Sequence, residues 1–486
     1  MEKKKIILYI SGGIFLLLDC LAIWMELFVF PFISLFALLV YLLVYRLDIL
    51  LYLMAFVTPL SVPLRDAQVN LELSLPSEVI MIMVSFLFLL RILYDLSFDK
   101  SILRHPVSMA LYAYLLWLVI STITSELPVV SVKYVISRLW FIFPCYFMGI
   151  HLFKKGILPV KTFFTLHAIG VAIVVIYTTI HHAMWDFSEA SGHWVMSPFY
   201  NDHTAYGAIL AFMIPIVTGF YFLPGNTQRD KILFAVLFVI LSGGLYLSFS
   251  RAAWLSMIGA AGVWAILKLR IKLSWCILAA VIFGASFYFF SDDILYKMGK
   301  NTQDSSGNLK EQIQSMSNIR TDASNVERLN RWMAAKGMIE ERPITGWGPG
   351  TYQFTYAPFQ KGKYKTIIST NFGDGGNAHS EYIGPWAETG TVGLLTILVL
   401  VLLILYYGIT TYIRSNNPFI RIISLSMTIA LITYFIHGFL NNFLDTDKLA
   451  LPYWSAFAAI VTLNVYGRRK EFPEDQSSDS SAIKSL

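Results

Sequence analysis

The residues best suited to chemistry fall in one short stretch, Asn377-Ala-His379-Ser-Glu381-Tyr382, with Trp386, Glu388, Gly390 and Gly393 close behind. A histidine near its ordinary pKa can take a proton from a hydroxyl and return it. Glu381 and Glu388 are candidates to orient that ring or to sit as solvated groups at an interface. The stretch stands just before an uncharged apolar run, Leu394 to Tyr407, and after the longest polar segment of the chain. Ionisable groups at a membrane border are candidates for function by default.

Two arginines break the pattern of the other basic residues. Arg138, in Ser137-Arg138-Leu-Trp140, and Arg251, in Ser248-Phe-Ser250-Arg251-Ala-Ala-Trp254, are expected at span ends away from the basic connectors. A single arginine there can snorkel to lipid headgroups. Two of them, one flanked by serines, suit a fixed anion, because a guanidinium fork matches phosphate oxygens in bidentate fashion. His151, His167, His181, His182 and His193 read as span-interior, connector or loop residues. Asp445-Thr-Asp447 and Asp292-Asp293 resemble metal-binding pairs only in spacing and read better as solvated or structural. No Walker loop, dinucleotide fingerprint or His-x-x-His cluster is present, so no metal or cofactor is expected. Cys20, Cys145 and Cys276 all lie in apolar runs, which excludes a disulfide framework.

These residues must be held by membrane helices. The chain has 486 residues, 56% hydrophobic and 14% charged, against roughly 25% charged in a soluble domain. Its mean hydropathy is +0.61. Apolar runs near the ~20 residues that cross a bilayer recur throughout. The expected fold is an all-α polytopic membrane protein of 12–14 spans, placed near 6–23, 27–45, 48–62, 78–95, 107–123, 138–153, 160–182, 203–223, 232–249, 252–268, 273–290, 391–412, 421–440 and 453–466. The first is an uncleaved lysine-led span. The net charge of +6 comes mostly from short connectors such as Lys154-Lys155 and Arg468-Arg469-Lys470. That distribution sets orientation rather than recruiting nucleic acid. With Lys3 to Lys5 inside, the other basic connectors fall inside too, and one large loop, 291–388, falls outside. Within it, a helix from Asn325 to Glu340 is expected to stop at Pro343, ahead of the turn-rich Thr345-Gly346-Trp347-Gly348-Pro349-Gly350. The expected organisation is an N-terminal bundle, 1–190, a second region, 191–470, that includes the loop, and a disordered cytoplasmic tail, 471–486.

In order along the chain, Ser250-Arg251-Ala-Ala-Trp254, Arg328/Arg331-Trp332, Pro343-Ile-Thr-Gly346-Trp-Gly348-Pro-Gly350 and His379-Ser-Glu-Tyr382 with Glu388-Thr-Gly390-Thr-Val-Gly393 resemble the O-antigen ligase and polymerase superfamily. Asn201-Asp-His-Thr-Ala-Tyr-Gly207 and His437-Gly438 resemble flanking parts of the same pattern, over about 190–466. Ser380 stands where the family more often has Asn. The resemblance implies an inverting, metal-independent GT-C-like glycosyltransferase of the bacterial inner membrane, with its site on the periplasmic face. It implies an undecaprenyl-diphosphate-linked glycan as donor and lipid A-core, another glycan or a protein as acceptor, among membrane lipids. Ligase is the leading reading, and a polymerase or protein O-oligosaccharyltransferase the alternative. His379 would activate the acceptor, and Arg251, with Arg138, would hold the diphosphate. Arg328, Arg331, Glu381, Tyr382, Glu388 and Asn201 are secondary candidates. A polysaccharide transporter, the reading from another class, would want charges near mid-membrane and inverted repeats, and neither stands out.

The orientation is directly testable. In cells with a permeabilised outer membrane, Ser306→Cys should react with a membrane-impermeant maleimide. Labelling only after lysis would invert the topology.

Overall fold

Uniformly apolar segments in hydrocarbon must satisfy their own backbone groups, and a helix does so within one segment. The computed structural model describes residues 25, 29–66, 71–95, 99–272, 274–275, 323–360 and 376–467. Its main helices are α1 (Val29–Tyr45), α2 (Leu47–Val57), α3 (Ser77–Asp95), α4 (Pro106–Ile123), α5 (Pro128–Ile142), α6 (Ile157–Ala183), α7 (His203–Tyr221), α8 (Gln228–Leu247), α9 (Arg251–Lys268), α10 (Ala323–Glu341), α11 (Ile383–Arg414), α12 (Pro418–His437) and α13 (Asp447–Tyr466). A π turn, Phe143–Met148, carries α5 on into Gly149–Phe153. Among the described residues, eight helices are long and apolar enough to cross a membrane. The protein is an all-α polytopic membrane protein. Each expected span that falls on described residues has its helix. The spans expected at 6–23 and, apart from 274–275, at 273–290 lie outside the described residues. So do Asp292-Asp293, Ser306 and the tail.

Three details differ from expectation. Val62–Asp66 (β1) and Leu71–Leu75 (β2) pair antiparallel, Val62 opposite Leu75, in the connector between the spans expected at 48–62 and 78–95, where no strand was expected. The helix of the sixth expected span begins at Pro128, not near 138, because proline is well placed in a first turn. Arg138 therefore stands ten residues inside α5 rather than at its head, a rise of about 15 Å. The last helix likewise begins at Asp447, not near 453; an acid in the first turn complements the helix dipole.

Helix α13 is apolar on every side and buried along nearly its whole length, as a central helix should be. It packs against α5 with its π turn, α11 and α12. The core runs from Leu39 to Tyr466 and so joins the two expected regions. The loop has a smaller core of its own. Helix α10, present as expected, brings Ala334, Ala335 and Met338 against Tyr352, Tyr356, Ala378 and Ala387.

A backbone clasp holds this loop to the membrane helices. Thr391 N–H donates to Pro343 O at 2.8 Å and Gly348 N–H to Glu388 O at 2.7 Å. The two strands of chain meet at Gly346 and Gly390, both at φ +69°. A Cβ at Gly390 would lie 2.0 Å from Ile344 O, and one at Gly346 would lie 2.3 Å from the Glu388 carbonyl carbon. Gly390→Ala adds that clash to a left-handed backbone, itself about 1–3 kcal/mol of strain. It should lower the yield and thermal stability of detergent-solubilised protein well below those of Gly243→Ala, where a Cβ meets nothing within 4 Å.

Candidate functional site

Helix alternation brings the starts of α7, α9, α11 and α13, the end of α12, and α10 to one end of the bundle. His379 sits there just before α11. Its backbone is left-handed, φ 47°, an uncommon state for a residue other than glycine and one that needs support from its surroundings. The support is visible. Asn377 Oδ1 accepts the His379 N–H at 3.1 Å. On the far side of the motif, Glu381 N–H donates to Gly438 O at 2.7 Å. Ser380 Oγ accepts the N–H groups of Tyr382 and Ile383, each at 3.3 Å, a turn-capping task that asparagine also performs.

Helix α10 supplies the cations. Arg331 Nε donates to Glu327 at 2.8 Å, and its Nη1 donates to Asn377 O at 2.9 Å and to His379 Nε2 at 3.2 Å. A guanidinium only donates, so Nε2 is the acceptor and the imidazole is neutral. Burial, then Arg331, then Arg328 hold the His379 pKa down to about 3. Arg328 Nε donates to Leu440 O at 3.3 Å, which joins α10 to the turn after α12.

Arg251 opens α9, two residues after Phe249 at φ 50° and next to the N-cap Ser250. Here α7 approaches closely: a Cβ at Gly207 would lie 2.6 Å from Ser250 Cβ. The start of α7 therefore faces Arg251. Arg251 and Arg328 both act electrostatically on His203, and Asp202 acts on His203, His379 and His437. Asp202 Oδ1 also caps α7, accepting from Thr204 N–H at 2.7 Å and Ala205 N–H at 2.9 Å. Arg331 and Arg328 thus flank the histidine loop, and Arg251 joins Arg328 at His203, an arrangement that can gather an anion beside a neutral proton acceptor.

The other expected residues divide by what they touch. The partly buried Glu381 carboxylate accepts from Tyr434 Oη at 2.5 Å, Phe443 N–H at 2.8 Å and Leu444 N–H at 2.9 Å. Burial and the nearby Asp445 charge raise its pKa. Arg138 closes the same turn, donating to Leu444 O and Tyr134 Oη and pairing with Asp445. Glu381 and Arg138 lie together in a pocket with Tyr114, Tyr434 and Tyr453, apart from the Arg331–His379 contact. Tyr382 Oη donates to Phe435 O at 3.0 Å. Glu388 accepts the Tyr352 N–H at 3.0 Å, within the clasp. Asn201 lines a different cavity, with Asp202 and Lys448.

Asp445 has Arg138 as its partner, and Asp447 accepts from Ser61 Oγ at 2.8 Å and Ser77 Oγ at 2.5 Å. Among the described residues, no group of three or more His, Cys, Asp or Glu side chains is placed to hold a metal. His167, His181 and His182 bond to backbone carbonyls. Asp202, His203 and His437 were not singled out as site residues, yet they share the field of Arg328. Their signal was their place in the Asn201 to Gly207 and His437-Gly438 motifs and at span ends on the same side as His379.

Residues 236–398 match the family model described as O-antigen ligase. The match runs from within α8 to within α11 and includes Arg251, Arg328, Arg331, His379 and Glu388; Arg138 and the turn at 438–447 lie beyond it. No curated protein matches the chain.

With its pKa near 3, free His379 should remain neutral from pH 8 down to pH 5. Arg331→Gln removes a neighbouring positive charge, so the pKa should rise toward the ordinary value. Histidine-selective ¹³C/¹⁵N NMR with Arg331→Gln and His379→Gln as paired samples reads this. A His379 resonance titrating near pH 6.5 in the unaltered protein would refute it.

Proposed function

We propose that this chain, a member of the O-antigen ligase and polymerase superfamily, transfers a glycan from an undecaprenyl diphosphate carrier to an acceptor hydroxyl, with lipid A-core as the leading acceptor. The site faces the periplasm of a bacterial inner membrane, and the enzyme is an inverting GT-C-type glycosyltransferase. The observation that carries this reading is a partly buried, neutral His379 held by Arg331 and in the field of Arg328, with Arg251 sharing that of His203 nearby.

In the reaction, the acceptor oxygen attacks the anomeric carbon from the side opposite the diphosphate. The glycosidic oxygen leaves with the bonding pair as carrier diphosphate, and the acceptor proton goes to His379. The only lone pair on Nε2 already receives Arg331 Nη1. The acceptor hydroxyl must therefore displace that guanidinium, which the incoming diphosphate draws toward itself. Arg251 and Arg328 then stabilise the charge that develops on the leaving group. Lipid diphosphate is a good leaving group, so no proton donor is required. Arg138, bound to Asp445 and Leu444 O, contributes by fixing the turn at 441–447, and it reaches a diphosphate only by exchanging those partners.

A positioned base contributes about 10²–10⁴-fold. His379→Ala should insert normally and lose at least ~10²-fold of transfer activity, and Arg251→Lys should lose activity because the planar fork is gone. Purified His379→Ala with more than about a tenth of normal turnover would remove the base assignment. Glycan profiling of a deletion strain separates ligase from polymerase. Loss of a ligase leaves lipid-linked polymer unattached, whereas loss of a polymerase leaves single repeats on the core.

A further inference from the structure

Beside the arginine cluster, at the same end of the bundle, lies a cavity of about 280 Å³ with a different chemistry. Its walls are the β1–β2 hairpin, the first turn of α3, the segment that enters α7 and the turn that enters α13. Volume places it at the small end of the roughly 300–1,000 Å³ of small-molecule sites. The charges are mostly negative: Glu78, Asp202, Asp445 and Asp447 face it, with Lys448 as the basic lining residue. Lys448 Nζ is occupied by Thr58 O at 2.8 Å and Ser61 Oγ at 2.6 Å. Asp445 pairs with Arg138 and Asp447 with Lys448 at 3.9 Å, so the negative excess comes from Glu78 and Asp202, and such a surface offers acceptors to hydroxyl groups rather than a cradle for a diphosphate.

Phe199, Tyr200 and Phe443 supply aromatic surface, onto which the C–H face of a sugar ring packs. Tyr200 is 3% exposed, and its hydroxyl has no hydrogen-bond partner among the described residues. The hydroxyl interacts electrostatically with Asp447, another wall of the cavity. Buried polar groups are nearly always hydrogen-bonded, so an orphan hydroxyl at a polar cavity marks a place for a ligand group. Asp202 belongs to both places: it lines the cavity and acts on His379.

We infer that this cavity is a carbohydrate subsite, holding one uncharged or amino sugar ring of a substrate beside the transfer site. The inference rests on the glycosyl-transfer reading above. The ring belongs to the donor glycan or to the acceptor, and the same chemistry serves either. Tyr200 Oη and the Asp202 carboxylate bond its hydroxyls, and Asn201 at the rim adds an amide. The diphosphate stays on the arginine side, so the two halves of a lipid-linked glycan are sorted by charge.

The test uses full-length protein in detergent and two soluble probes: oligosaccharide released from the lipid-linked surface glycan, and oligosaccharide released from the lipid A-core. Binding is read by saturation-transfer NMR, and transfer is assayed separately. At least one probe should bind the unaltered protein and His379→Ala equally. Tyr200→Phe, which keeps the ring, should weaken that probe about 3–10-fold, as expected for one neutral hydrogen bond. Asn201→Trp, which fills the rim, should abolish its binding. Inorganic pyrophosphate should still bind Asn201→Trp. The probe that binds identifies a donor or an acceptor subsite. Binding of neither probe, or binding unaffected by both variants, would overturn the subsite. Sugar binding as described, together with full transfer by His379→Ala, would instead remove the base assignment and leave the subsite standing.

Discussion

A carboxylate largely withdrawn from water at the end of a membrane bundle is tolerable only when its oxygens are satisfied, and Glu381 is satisfied by a backbone turn. Its carboxylate takes the N–H groups of Phe443 and Leu444 together with the Tyr434 hydroxyl. Arg138 completes the turn from the other side through Leu444 O and Asp445. Removing one partner from such a network leaves an uncompensated charge, typically 3–5 kcal/mol. The turn and the histidine loop are therefore fixed relative to each other, since Glu381 stands two residues beyond His379. The start of α13, the end of α12 and the loop before α11 take their positions from this clamp.

Electrostatic sorting follows from that fixed geometry. On one side lies a histidine held neutral by burial and by the charges of Arg331 and Arg328, with Arg251 close to His203. On the other, Asp202, Asp445 and Asp447 border a cavity whose basic group, Lys448, is already hydrogen-bonded. Anionic and hydroxylic parts of one ligand would separate across such a boundary without any moving part. The left-handed backbones at Phe249 and His379 lie two residues before Arg251 and at the imidazole itself. Strain of this kind persists where surrounding contacts over-determine it, and it concentrates at functional positions.

The glycine-rich motifs serve the scaffold. Pro343 to Gly350 and Glu388 to Gly390 read in sequence as two separate signatures, yet they are the two sides of one clasp. Glu388 belongs to it as an acceptor for Tyr352 N–H. Ser121 and Ser131, from α4 and α5, hold the same segment through Thr345 O at 2.7 Å and Pro349 O at 2.9 Å.

Much was legible before any coordinates. Long uncharged runs permit only helices in hydrocarbon, so the span order, the α10 helix ending near Pro343 and the division between basic connectors and the polar end all followed from one-dimensional patterns. His379 and Arg251 were legible as residue types at the border of a span, and the two α10 arginines only through the family resemblance. The sequence could not reveal partners, because the contacts that define the site join residues far apart in the chain: Arg138 with Asp445, Glu381 with Phe443, Arg331 with His379. It gave Arg138 and Arg251 one role, whereas folding set the first inside α5, paired with Asp445, and the second at a helix start. Periodicity says which face of a helix is apolar; which carboxylate meets which guanidinium is decided only when helices pack.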